Sequence, residues 1–365
     1  LAAAGSVIMI LLLTHVHPVL ALLNLEANTA RITQGYLDAF AWGIPALLLM
    51  TALRGLTDGL GHTRVIMAFS VLSTLINLPM NYIFIYGKLG LPAMGGVGCG
   101  WATSISNGVA AAALLVYLNR SRVYRQFHLI ADWVKPDLAG MRYILGIGVP
   151  IGFTIFVEAS LFSVIALFLA PLGPVVVAGH QIALNVVSLL FMLPLSIGMA
   201  LTLRVSFLMG ARAPATARLI SRSSLILAAA TALVFAILLF VFSREIAALY
   251  TSDTEVQAVT VKLLMFAALF QIADVIQVTC ISALRGYKDT RIPMFIMLFS
   301  FWGVGMPLGY LLTFTDWLVP AMGAAGFWVG LTGGLASASI LLGWRLFLYA
   351  PEGIRAAPAA GSGTD

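Results

Sequence analysis

Glu158 lies in FTIFVEASLFSVIALFLAP (153–171) and Asp274 in FQIADVIQV (270–278), each an acid set among residues at ease in hydrocarbon. A charge at the centre of a spanning helix costs about 2.5–3.5 kcal/mol on the insertion scale, so such acids face protein or water and mark a site. At helical rise, Glu158 lies about 24 Å from Arg142 and Asp274 about 16 Å from Arg285, which puts both inside hydrocarbon. No Lys or Arg stands within two turns of either acid on its own helix. The chemistry such a pair offers is cation or proton binding, because desolvation and a like-charged neighbour both penalise an empty pair of carboxylates. The bland alternative is a protonated acid bonded to a neighbouring backbone group.

Further polar residues could complete a site. GHQIALN (179–185) supplies His180, Gln181 and Asn185, and the last two, four apart, share a helix face. Gln271 and Gln277 flank Asp274, and Gln277 and Asn185 are expected to offer neutral oxygens to a bound cation. His180 reads either as part of that group or as an ordinary hydrogen-bonded histidine near the outer end. NLPMN (77–81) places Asn77 and Asn81 on one face around Pro79, where they line a cavity or link helices by hydrogen bonds. Asp38, sixteen residues from Arg54, falls near the outer interface, lining a cavity or solvated there. Cys99 and Cys280 lie in apolar segments with no disulfide or metal spacing, and read as small buried hydrophobes. No H-E-x-x-H or G-x-S-x-G occurs, and Asp274 lacks the G-x-G-D setting of an intramembrane aspartyl protease. The chain is therefore not expected to be an enzyme.

The elements that position these residues must be membrane helices. The chain has 365 residues, 61% hydrophobic and 9% charged, with mean hydropathy +1.02. Soluble domains carry about 25% charged residues, and no soluble surface can be assembled from so few. Apolar runs of about 20 residues predict an all-α polytopic membrane protein. Ten spans are expected, at 1–23, 32–53, 65–87, 95–118, 143–170, 174–203, 223–243, 256–284, 292–314 and 322–349. Loop 119–142 reads as a linker and the tail 351–365 as disordered. The net charge of +6 sits in short loops, so it reads as a topology signal, with no nucleic-acid partner expected. Alternate loops carry 16 of the 20 Lys and Arg on one side, which is the cytoplasmic side, and both ends of the chain fall there.

An internal repeat orders these spans. TALRGLTDGLGHTR (51–64) resembles SALRGYKDTR (282–291), LPMNYIF (78–84) resembles MPLGYLL (306–312), and LPAMGGVGCGWA (91–102) resembles VPAMGAAGFWVG (319–330), at an offset of about 228 residues. The offset spans an even number of helices, so the repeat is parallel, with an axis along the membrane normal, as in many secondary transporters. The expected domains are a four-helix N-lobe at 1–118 and a six-helix C-lobe at 143–350. The unmatched spans 143–170 and 174–203 predict a twelve-helix whole, whose first two helices would precede Leu1.

RGLTDGLGHTR with INLPMNYIFIYGKLGLPAMGGVGCGWAT, APLGPVVVAGHQIALNVVSLLFMLPLSIGMALTLRV and SALRGYKDT together resemble the multidrug and toxic compound extrusion (MATE) transporters, NorM-like bacterial branch. The resemblance covers residues 1 to about 350. It implies two six-helix lobes around a central cavity, and export of cationic, often aromatic drugs in exchange for Na⁺ or H⁺ by alternating access. It implies a bacterial inner-membrane protein, a monomer, with the lipid bilayer and small cationic compounds as its partners and no cofactor beyond the coupling ion. Glu158 and Asp274 match the family's C-lobe cation acids, and Na⁺ is expected there. Phe270, one turn before Asp274, stands where a close sodium-coupled relative is expected to carry Tyr. The family's N-lobe acid, on its first helix, would lie near Asn77 and Asn81. The rival within the wider superfamily is a lipid-precursor flippase, whose cavity would need cationic residues that these spans lack.

Overall fold

In lipid every backbone polar group needs an internal partner, and a helix supplies one within a single segment. The computed structural model describes residues 1–22, 27–125, 137–317 and 319–349, and among them every regular element is helical. Most of the expected linker (126–136) and the whole tail (351–365) lie outside the described residues. The chain forms two compact units, Leu1–Met141 and Arg142–Asp365.

The first unit runs α1 (Ala2–Thr14), α2 (His17–Leu22), α3 (Ala27–Ala41), α4 (Ile44–Gly59), α5 (Thr63–Tyr86), α6 (Gly96–Arg120) and α7 (Arg122–Arg125). The expected spans 1–23 and 32–53 are both broken. Pro18 has no N–H to give the Thr14 carbonyl, which instead accepts from Gln34 Nε2 at 3.4 Å. Helices α3 and α4 bend by 47° at their junction. Gly43 there is pressed against α6, where a Cβ would stand 2.7 Å from Ser104 Cα. Pro45 follows in the first turn of α4, where its missing N–H costs nothing.

The second unit runs α8 (Leu138–Leu169), α9 (Pro174–Gly210), α10 (Pro214–Val241), α11 (Ser243–Tyr250), α12 (Thr254–Gly286), α13 (Arg291–Leu298), α14 (Met306–Phe314) and α15 (Ala324–Trp344). A π-helical stretch, Phe299–Gly305, joins α13 to α14. Among the described residues eight helical stretches are long and apolar enough to cross a membrane, and the α3–α4 pair makes a ninth. The difference from ten is at 1–23, where the break ahead of Pro18 leaves α1 only 13 residues.

Helix α12 is the centre of the second unit. Thr202 Oγ1 bonds the Ser282 carbonyl at 2.8 Å and Ser206 Oγ bonds that of Gly286 at 3.2 Å, both with a separation of 80 residues. A constant separation means that α9 and α12 run parallel. Ser339 Oγ ties α15 to the Ala273 carbonyl at 2.7 Å. Helix α8 packs through large side chains: Phe168 meets Tyr310 at 5.7 Å and Phe327 at 6.2 Å, and Trp302 Nε1 donates to the Val157 carbonyl at 3.4 Å.

The sequence repeat is also a repeat of local backbone. The Met94 N–H bonds the Phe84 carbonyl at 2.9 Å, and 228 positions on the Met322 N–H bonds the Leu312 carbonyl at 2.9 Å. Gly95 (φ 53°) and Gly323 (φ 61°) follow in the same conformation, which a residue without a Cβ adopts freely.

Candidate functional site

Asp274 is 4% exposed on α12, and Glu158 is half-buried on α8 beside the buried Val157 and Leu161. The two carboxylates are near enough to interact electrostatically, and Glu158 also feels Arg285 from the last turn of α12. Phe162, one turn beyond Glu158, meets Phe270, one turn before Asp274, edge-on at 6.4 Å and 72°. The two contacts occur in opposite order along the helices, as antiparallel neighbours require. An aromatic pair therefore closes one end of the acid pair.

That pair is itself supported. Phe270 is 2% exposed and packs edge-on against Trp328 at 5.5 Å. Trp328 Nε1 donates to His180 Nδ1 at 3.2 Å, which leaves the buried His180 Nε2 without a partner. His180 thus faces the core, and the contacts that link it toward the acids run through Trp328 and Phe270.

The remaining expected residues divide. Gln181 and Asn185 share an exposed face, as their spacing requires. Asn185 Oδ1 accepts from Tyr250 at 3.0 Å, and by the 80-residue register Asn185 lies level with Met265. Nine residues of helix separate that level from Asp274, about 13 Å. Gln277 is buried and donates to Met297 Sδ at 3.2 Å. Gln271 is 0% exposed, and neither of its amide atoms has a hydrogen-bond partner.

The first unit carries its own polar cluster. Asn81 Nδ2 donates to Asn77 Oδ1 at 2.7 Å, and Asn77 Nδ2 to Ser106 Oγ at 3.2 Å, leaving Asn81 Oδ1 buried and unpartnered. The pair links α5 to α6, as one of its two expected roles requires, and keeps one oxygen without a partner. Asp38 is half-buried and accepts from Gln34 at 2.8 Å.

Among the described residues no group of three His, Cys, Asp or Glu side chains converges. The acid pair therefore offers hard oxygen donors and no soft metal cage. Sequence reasoning treated Arg285 as a loop charge. Its spacing of eleven residues from Asp274, three helical turns, was the signal that it shares the acid's face.

Two repeated helical units with acids inside the spans define a polytopic membrane transport protein. A MatE family model matches residues 1–83 and 150–311. The chain is 44% identical over 346 residues to a probable multidrug resistance protein NorM of Shewanella oneidensis, covering 95% of this chain and 75% of that one. It is 43% identical over 338 residues to the multidrug resistance protein PmpM of Pseudomonas aeruginosa, covering 93% and 71%. Among solved structures it superposes on the eukaryotic MATE transporter AtDTX14 with TM-score 0.84 at 21% identity, covering 96% and 77%. It superposes on the Vibrio cholerae MATE transporter VcmN in its bent form with TM-score 0.78 at 19% identity, covering 96% and 76%. The chain belongs to the MatE family; the curated relatives are named multidrug resistance proteins and the solved structures MATE transporters, and none of these names is an enzyme's.

Proposed function

We propose that this chain is a multidrug efflux transporter that exports cationic amphiphilic compounds in antiport with Na⁺ or H⁺, with Glu158 and Asp274 as the coupling acids. The observation that carries the reading is the placement of two carboxylates on neighbouring spanning helices, each one turn from the Phe162–Phe270 contact. An empty pair is penalised by burial and repulsion. Na⁺ or a proton removes that penalty. If the relief differs between outward-open and inward-open states, the bound cation biases their equilibrium, and only such a difference can do so. A cationic drug competes for the same negative field, which couples its exit to cation entry.

On this reading the lobes are 1–118 and 143–350, the protein sits as a monomer in the bacterial inner membrane, and both ends face the cytoplasm. The relatives named for multidrug resistance support drug-like compounds as substrates. The test is efflux of a fluorescent organic cation from vesicles, with Na⁺ and pH gradients imposed separately. Glu158→Gln and Asp274→Asn should each abolish gradient-driven efflux at near-normal expression, and Glu158→Asp should retain part of it. Wild-type efflux by Glu158→Gln under both gradients would refute the mechanism.

A further inference from the structure

The least satisfied polar side chain near the acids is Gln271, which has no exposed surface and no partner for either amide atom. Such an amide is costly to bury, so its persistence in a packed helix points to a ligand. Gln271 precedes Asp274 by three residues, a spacing that makes the two side chains surface neighbours on one helix. It shares a stripe of α12 with Val278 and Ser282, seven and eleven residues on. That stripe faces α9: a Cβ on Gly198 would stand 2.5 Å from Ser282 Oγ and 3.6 Å from the Val278 carbonyl. The 80-residue register brings Gln271 level with Phe191. One residue away, the Leu190 carbonyl lacks its helical donor, because Pro194 has no N–H.

We infer that Gln271 is a ligand of the coupling cation and supplies a neutral amide oxygen beside the Asp274 carboxylate, with Na⁺ as the ion. This rests on reading Glu158 and Asp274 as the coupling acids. Hard oxygens, one charged and others neutral, suit a small alkali cation. Of the two residues that sequence reasoning chose for this role, Asn185 Oδ1 already accepts from Tyr250, and Gln277 is held against Met297 by a bond from its Nε2. Gln271 alone among these amides is buried with both ends free.

The test uses the purified full-length protein, with thermal unfolding followed against Na⁺ concentration at constant ionic strength made up with K⁺. Gln271→Met keeps the volume and removes both polar atoms. It should unfold no earlier than the wild type without Na⁺, since an unsatisfied amide has gone, yet need at least about tenfold more Na⁺ for half-maximal stabilisation. Gln271→Glu keeps an oxygen and should bind Na⁺ at least as well as the wild type, which distinguishes a ligand from a packing role and stands in if Gln271→Met does not fold. Wild-type Na⁺ dependence in Gln271→Met, with Glu158→Gln insensitive to Na⁺, would leave the acids in place and show that Gln271 holds only an ordered water. Wild-type Na⁺ dependence in Glu158→Gln would overturn the acid-pair reading and this assignment together. A wild type with no Na⁺ stabilisation would overturn the assignment alone, leaving a proton at the acids.

Discussion

Gly330→Ala should be among the most damaging single-methyl changes in the second unit, and Gly343→Ala, in the same helix, among the most harmless. A Cβ on Gly330 would stand 2.4 Å from both the Cα and the nitrogen of Gly309, and 2.6 Å from the Gly305 carbonyl oxygen. Carbon contacts are comfortable at about 3.5–4.0 Å, so α14 and α15 must part by about 1 Å or more. Backbone atoms cannot swing aside as a side chain does. Overpacking costs about 1–3 kcal/mol, and three backbone clashes on one methyl put this case at about 3 kcal/mol. Gly343 has nothing within 4 Å of its Cβ position. Alanine there removes only the helix penalty of glycine and gains about 0.5–1 kcal/mol. At about 2–4 °C per kcal/mol for a cooperative unit of this size, Gly330→Ala should lower the unfolding midpoint by about 6–12 °C, while Gly343→Ala raises it by up to about 4 °C. The assay is the folded fraction by size-exclusion chromatography after heating in detergent. Helix α15 also carries Trp328, which packs on Phe270 next to Asp274, so efflux should fall with the same variant. Midpoints for the two variants within about 2 °C of each other would refute the close approach of the helices.

Arg285→Gln removes the positive charge that interacts with Glu158, so the half-saturating Na⁺ concentration for efflux should fall, by roughly 3–10-fold if the interaction is about 0.7–1.4 kcal/mol. An unchanged or raised value would show that Arg285 does not shape the field at the acids. Trp328→Phe keeps a ring against Phe270 but deletes the donor to His180, so it should cost about 1 kcal/mol in thermal stability while leaving Na⁺ dependence within about twofold. A large loss of Na⁺ coupling with stability intact would place His180 and Trp328 in direct contact with the ion.

Hydropathy and the repeat by themselves determined much of this protein. Every span needs about 20 apolar residues, so the positions of the helices, and the burial of Asp274 within one, are written linearly in the chain. The repeat was equally legible, because the same turn needs the same glycine in both units, and Gly95 and Gly323 share one conformation. Even the shared face of Gln181 and Asn185 follows from periodicity within a single helix.

Relations between helices were not legible. Periodicity gives a residue's face but not how far its helix is rotated or slid against a neighbour, and those two quantities come from side chains interlocking across the contact. Asn185 and Gln277 both carry amide oxygens, and only register shows that one lies level with Met265 and only packing that the other donates to Met297. The same packing left Gln271 without a partner and let Arg285 act on Glu158. The approach of Gly330 to Gly309 is likewise a property of two segments 21 residues apart, visible only when both are in place. The sequence alone put acids in the membrane. Tertiary packing decided which neutral side chain is left without a partner there, because partner and distance depend on how the helices lock.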